Sequence, residues 1–187
     1  MATETYSLER FAADLDRITR RESASGAITA EVAPRLGRLV RDPAAIPARF
    51  RGRPPHAGRG RFMLHRAPRF NVTSVVWRPG DRAAAHDHDT WGAIGVVDNE
   101  IEEIRHRVAS APGGGAPLAV RSVTRHGPGA ISLLVPPDDD VHAMYNPTER
   151  DTVEIHVYGR DLYGLPRKTW AADGRVTPLV SPKYLNY

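Results

Sequence analysis

The chain has 187 residues, a formal charge of +4 with a pI near 9.7, and no cysteine. That length suits one domain, which buries roughly 70% of its unfolded surface without needing a staple. The absence of cysteine excludes disulfides, thiolate metal ligands and a cysteine nucleophile, so any bound metal must use histidine or oxygen ligands.

Met1 to Arg21 lacks a basic-then-apolar signal pattern, and no run approaches the roughly 18 apolar residues that span a bilayer. The expectation is a cytoplasmic protein with no membrane partner. Ser7 caps an expected helix whose Leu8, Phe11, Leu15 and Ile18 share a face; Thr29 caps a second with Val32, Leu36, Leu39 and Val40. The basic excess is concentrated in Arg35 to Arg61, read as an arginine- and proline-rich connector. It lacks interleaved aromatics of the kind that stack bases, so no nucleic-acid partner is expected. From Phe62 the texture changes to eight short β-rich runs: FMLHRA, FNVTSVVW, WGAIGVV, EIEEIRHRVA, LAVRSVTRH, AISLLV, VHAMYN and TVEIHVYG. The links RPGD, APGGGAP, GPG and PPDDD are turn chemistry. The pattern implies a mainly β sandwich or barrel, in one domain over 1–187, with helices and connector in 1–60 and barrel plus C-terminal extension in 61–187.

In AAAHDHDTW, His86 and His88 are two apart, so on an extended strand both imidazoles point to one face and reach one ion. Gly80 completes G-x5-H-x-H, and PDDDVHAMYN offers His142 followed, after three residues, by Asn146. From Phe62 to Tyr158 the chain resembles the cupin superfamily, small double-stranded β-helix barrels in which these two motifs supply metal ligands. Two departures stand out. Thr90, Trp91, Gly92 and Ala93 occupy the place of a frequent glutamate ligand, and Asp139 replaces the usual second-motif glycine. Three neutral imidazoles from His86, His88 and His142 leave a divalent ion its full +2 charge and, if octahedral, three adjacent open positions.

In TVEIHVYG, Glu154, His156 and Tyr158 alternate with Val153, Ile155 and Val157, which puts a polar face inside a small barrel. With RFNVTSVVWRPG, HDHDTWGAIGVV and IHVYG, this face resembles the thiol dioxygenases, the iron cupins of the cysteine and 3-mercaptopropionate dioxygenase type. The resemblance implies Fe(II) on the three histidines and an outer-sphere serine-histidine-tyrosine series. His156 and Tyr158 match its last two members, and Glu154 stands where the serine is expected. A carboxylate there orients the imidazole more strongly than a hydroxyl and, beside a pocket, favours a substrate with an ammonium or quaternary ammonium group. For the substrate carboxylate, Arg61 matches the arginine of mammalian-type cysteine enzymes and Arg167 that of the mercaptopropionate enzymes. Both positions are arginine, so the subclass stays open. Gly95 takes the place of the cysteine that crosslinks to the tyrosine in mammalian cysteine dioxygenases. Trp91, close after His88, is a candidate pocket wall. His56, His65, His106 and His126 are read as surface or supporting residues.

The implied activity is oxidation of a small thiol or thione by O2 to its sulfinic acid, a step of sulfur metabolism. The substrates in view are 3-mercaptopropionate, cysteine and ergothioneine. The alternatives are a non-redox metal-dependent isomerase or lyase and a small-acid sensor.

Overall fold

The structure is a computed structural model that describes residues 6–109, 117–171 and 173–187. Two helices, α1 (Leu8–Arg21) and α2 (Ser25–Val40), precede the strands. One antiparallel sheet takes β1 (Gly60–Ala67), β2 (Phe70–Trp77), β9 (Thr152–Tyr158), β4 (Gly92–Asp98) and β7 (Ile131–Leu134), in that order. The other runs β11 (Val176–Leu179), β10 (Arg167–Trp170), β3 (Arg82–His86), β8 (His142–Tyr145), β5 (Ile101–Val108) and β6 (Leu118–His126). The mainly β double-stranded β-helix barrel with N-terminal helices is therefore present. Among the described residues no helix is long and apolar enough to cross a membrane.

The first helix forms as its pattern requires: Ser7 Oγ accepts the Arg10 N–H, and Phe11, Leu15 and Ile18 are buried. The second begins earlier than expected. Thr29 is not its cap: its hydroxyl bonds back to the Ser25 carbonyl at 2.9 Å inside the helix, which starts at Ser25. The connector accordingly begins only after Val40, because Arg35 and Arg38 lie on α2. All eight β-rich runs contain strands, and β3, β10 and β11 are additional. Two of those lack the expected signal: RAAAH carries no β-branched residue, and VTPL contains Pro178, tolerated because β11 is an edge strand. Most of the APGGGAP link lies outside the described residues.

Strand β9 divides the molecule. Val153, Ile155 and Val157 face outward into a core with Phe11, Leu15, Val32 and Leu36 of the helices. Full burial of such side chains contributes about 1.5–3 kcal/mol each. Thr152, Glu154, His156 and Tyr158 alternate with them and face the barrel interior. The helices therefore shield one face of the sheet and leave the other to the site.

Gly95 belongs to the helix-facing side of β4. A Cβ there would meet Val40 Cγ1 at 2.9 Å, Ile131 Cδ1 at 3.0 Å and Leu36 Cγ at 3.1 Å. Gly95→Val should overpack this contact at a cost of about 1–3 kcal/mol, lowering the thermal midpoint by roughly 2–12 °C for a chain of this size. Metal uptake at the three histidines should be unchanged; calorimetry and metal analysis of the purified variant check both.

Candidate metal centre

Register builds the centre. On β3 and β8, His86 lies directly opposite His142, and His88 follows two residues beyond His86. The three imidazoles are neighbours, with ring centroids 4.8 to 5.0 Å apart, and one ligating nitrogen from each lies within 4.8 Å of the others. This is a group able to hold a metal ion.

Each ring has its Nδ1 engaged, which directs Nε2 to the common point. His86 Nδ1–H donates to the Ala84 carbonyl at 2.8 Å. His88 Nδ1–H donates to Asp140, whose other oxygen accepts the His88 and Asp89 backbone N–H groups. His142 Nδ1–H donates to Glu103 Oε1 at 2.6 Å. Such supporting carboxylates fix tautomer and ring orientation and raise ligand basicity. The donor set fits a divalent transition metal: three imidazoles on one side, no carboxylate ligand, and a cavity opposite.

Glu103 is the hub of this support. It also accepts from His126 Nε2, Ser132 Oγ and Arg105 Nε. Burial alone would raise its carboxyl, but the bonds from His126 and His142 and the Arg105 charge outweigh that and hold it well below the usual carboxylate range. Sequence reasoning passed over Glu103 and Asp140. Glu103 was visible as a charged residue on the same face of β5 as Ile101, in a strand of alternating burial. Asp140 lay within an acidic run that reads simply as a turn. Asp139, replacing the motif glycine, pairs its backbone with Val135 and its carboxylate with Arg105 and Arg121, closing the PPDD turn.

The second set of side chains runs along the interior face of β9. Trp77 Nε1–H donates to Glu154 Oε2 at 2.6 Å, the same oxygen lies 3.0 Å from His156 Nε2, and His156 Nδ1 is 2.7 Å from the Tyr158 hydroxyl. The Tyr158 ring stacks on His88 at 5.3 Å, joining this series to the three histidines. Burial raises the Tyr158 phenol above its ordinary range, against the pull of Arg167 and Arg61, and keeps it protonated.

A cavity of about 670 Å³ opens over the three histidines and is also lined by His156, Tyr158, Arg61 and Arg167. Both candidate arginines thus reach one space. Arg61 Nη1 donates to the Pro182 carbonyl, and Arg167 donates to the Asp87 carbonyl and Ser181 Oγ. Glu154 is not among the lining residues and is 1% exposed, so its carboxylate serves Trp77 and His156 instead of facing a substrate ammonium. Trp91 also stays off the cavity wall: its indole packs in the helix-side core, where a Cβ on Gly159 would meet Trp91 Nε1 at 2.3 Å. The glycine beside the tyrosine is Gly92, not Gly95. A Cβ on Gly92 would lie 2.9 Å from Tyr158 Cδ1, whereas Gly95 faces the helices. Of the remaining histidines, His65 stacks on Phe70 and His126 supports Glu103.

No family model matches the chain. Among solved structures it is similar to a cupin superfamily protein from Desulfitobacterium hafniense, at 9% identity and TM-score 0.43 over 65% of this chain and 89% of that one. It is similar to a conserved protein with a double-stranded β-helix domain from Klebsiella pneumoniae, at 17% identity and TM-score 0.45 over 71% and 93%. A third is a cupin-superfamily sugar phosphate isomerase from Silicibacter pomeroyi, at 15% identity and TM-score 0.46 over 69% and 82%.

Two outcomes follow from the geometry. Titration with Fe(II) or Co(II) should give one ion per chain; His142→Ala should abolish uptake, and Glu103→Gln should weaken it by about 10–100-fold. The second concerns pH. Burial holds His88 down at about 4, from an ordinary 6.5, and drives His86 well below 6.5 as well. Between pH 6.5 and 4 the unfolded chain binds protons that the folded chain refuses, so this contribution to stability is full above 6.5 and is lost as pH falls toward 4. Thermal melts of metal-free protein across that window should show a falling midpoint, with a shallower fall in His88→Gln.

Proposed function

We propose that the protein is an iron(II)-dependent dioxygenase that oxidises a small thiol to its sulfinic acid. The observation that carries this reading is the meeting, in one cavity, of three Nε2 donors without a carboxylate ligand and a tyrosine hydroxyl held by a buried histidine. The sequence motifs around His86, His142 and Tyr158 support it independently. The reaction balances without an outside reductant: RSH and O2 give RSO2H, with sulfur oxidised, both oxygen atoms transferred to it and the proton kept on the product.

His86, His88 and His142 would hold the iron, which when bound supplies open coordination positions and the electronic route between sulfur and O2. The remaining work falls to the chain. Burial keeps His86 and His88 neutral, and a ligand set of imidazoles without a carboxylate would leave a bound ion its +2 charge, which favours thiolate. Arg61 and Arg167 fix the acid end of the substrate, since guanidinium grips a carboxylate bidentately. The Leu162 and Met144 side chains add apolar wall to the same cavity.

Tyr158 is the polar group next to the reacting atoms, and Glu154 decides how it is held. Its Oε2 takes the Trp77 N–H and lies 3.0 Å from His156 Nε2, so this carboxylate oxygen acts as an acceptor toward Nε2 and leaves Nδ1 to the Tyr158 hydroxyl. A serine in place of Glu154 could donate to Nε2 and so permit the other tautomer; the carboxylate removes that choice. Tyr158 is thereby a positioned hydroxyl where charge develops during S–O bond formation.

The test is O2 consumption by iron-loaded protein with cysteine, 3-mercaptopropionate, cysteamine and ergothioneine, and mass analysis of the product. The reading expects stoichiometric O2 uptake and a sulfinate from at least one acidic thiol. Tyr158→Phe should lower kcat by about 10²–10³-fold at unchanged iron content. No uptake with any thiol by the iron-replete protein would overturn it.

A further inference from the structure

The cavity is charged far beyond what a single carboxylate needs. Arg59, Arg61, Arg82, Arg167 and Lys183 line it, and no aspartate or glutamate does. Only Arg59 has a carboxylate partner, Asp81 at 2.9 Å; among the described residues the other four have none within ion-pair distance. Arg82 lies over the Tyr145 ring, and Arg61 lies over the Tyr184 ring. Arg167 is buried, and its Nε has no hydrogen-bond partner even though both of its terminal nitrogens are engaged. That nitrogen is itself sealed from the cavity, so what a ligand can meet is the terminal nitrogens, which are bonded only to neutral oxygens. Cavities of about 670 Å³ also belong to the class that encloses ligands well beyond a three-carbon acid.

Resting on the dioxygenase reading, we propose that the substrate is a thiol bearing two acid groups, one held by Arg167 and the other by Arg61. A monoacid occupies one guanidinium and leaves the second desolvated and unpaired, beside a like charge. Burial lowers both below the ordinary arginine range, and like charge adds to it: that of Arg59 at Arg61, and that of Arg61 at Arg167. A second acid group answers both problems, and Arg82 and Lys183 add to the attraction a dianion feels on approach. The inference also accounts for the presence of arginine at both positions, where one suffices for a monoacid thiol.

The test separates binding from oxidation. Calorimetric titration of metal-loaded protein with succinate and with butyrate compares two thiol-free acids of equal length that differ by one carboxylate. Succinate should bind at least tenfold more tightly at 0.15 M salt, a tenfold gap being about 1.4 kcal/mol. Arg61→Gln and Arg167→Gln should each bring that ratio toward one, with Arg167→Lys retaining charge but losing part of the preference. Turnover assays then compare mercaptosuccinate with 3-mercaptopropionate, and the expected result is at least a tenfold higher kcat/KM for the diacid. Equal binding of succinate and butyrate by the unaltered protein overturns the second acid group, even where 3-mercaptopropionate is oxidised. A clear succinate preference with no thiol oxidised supports the diacid pocket and ends the dioxygenase reading.

Discussion

Everything in the site depends on the antiparallel pairing of β3 with β8, which puts His86 across from His142. The pairing is short and interrupted, with a register shift between Ala83 and His86, and so does not hold itself. Neighbouring strands hold it: β10 joins β3 through Thr169 opposite His86, and β5 joins β8 through Arg105 opposite His142. The strand that braces His142 thus also delivers Glu103 to its Nδ1. Sheet register and ligand orientation are one constraint, since a slip of one residue would turn each ligand to the opposite face.

The same economy appears on β9. Its outward side supplies apolar contacts to the helices, and its inward side would be expensive in a small barrel if left unpaired. Most of it is paired: Thr152 to the Glu100 carbonyl, Glu154 Oε2 to Trp77 and His156, and His156 to Tyr158, while Glu154 Oε1 has no partner among the described residues. The hydrogen bonds that make this polar face tolerable are those that orient Tyr158 toward the three histidines. Fold stability and site geometry therefore rest on the same residues, whereas Gly95, on the outer face, affects only packing.

The features legible in the sequence were those carried by local pattern. Alternation exposed both faces of β9, the spacing of His86 and His88 put them together, and the stripe from Leu8 to Ile18 marked α1. What stayed hidden depended on contacts remote in the chain. Glu103 meets His142 across 39 positions, and Asp140 meets His88 across 52. Thr29 looked like a cap because a threonine before an apolar stripe does, yet the helix continued upstream through Ser25 and Gly26. Trp91 and Glu154 are close to functional residues in sequence, but strand alternation and the Trp77 bond turned both away from the cavity wall. Proximity in sequence identified the region; only packing decided which atoms face the cavity.

Chemically, the cavity brings together three imidazoles able to hold a metal ion, a protonated phenol fixed by His156 and guanidinium groups without carboxylate partners, an arrangement suited to anionic donors. The most direct check of the dioxygenase account is a single turnover under 18O2 in unlabelled water, with mass analysis of the oxidised thiol. The account predicts two labelled oxygens in each sulfinate, both from the gas. A product carrying one or no label, or oxygen drawn from water, would contradict it.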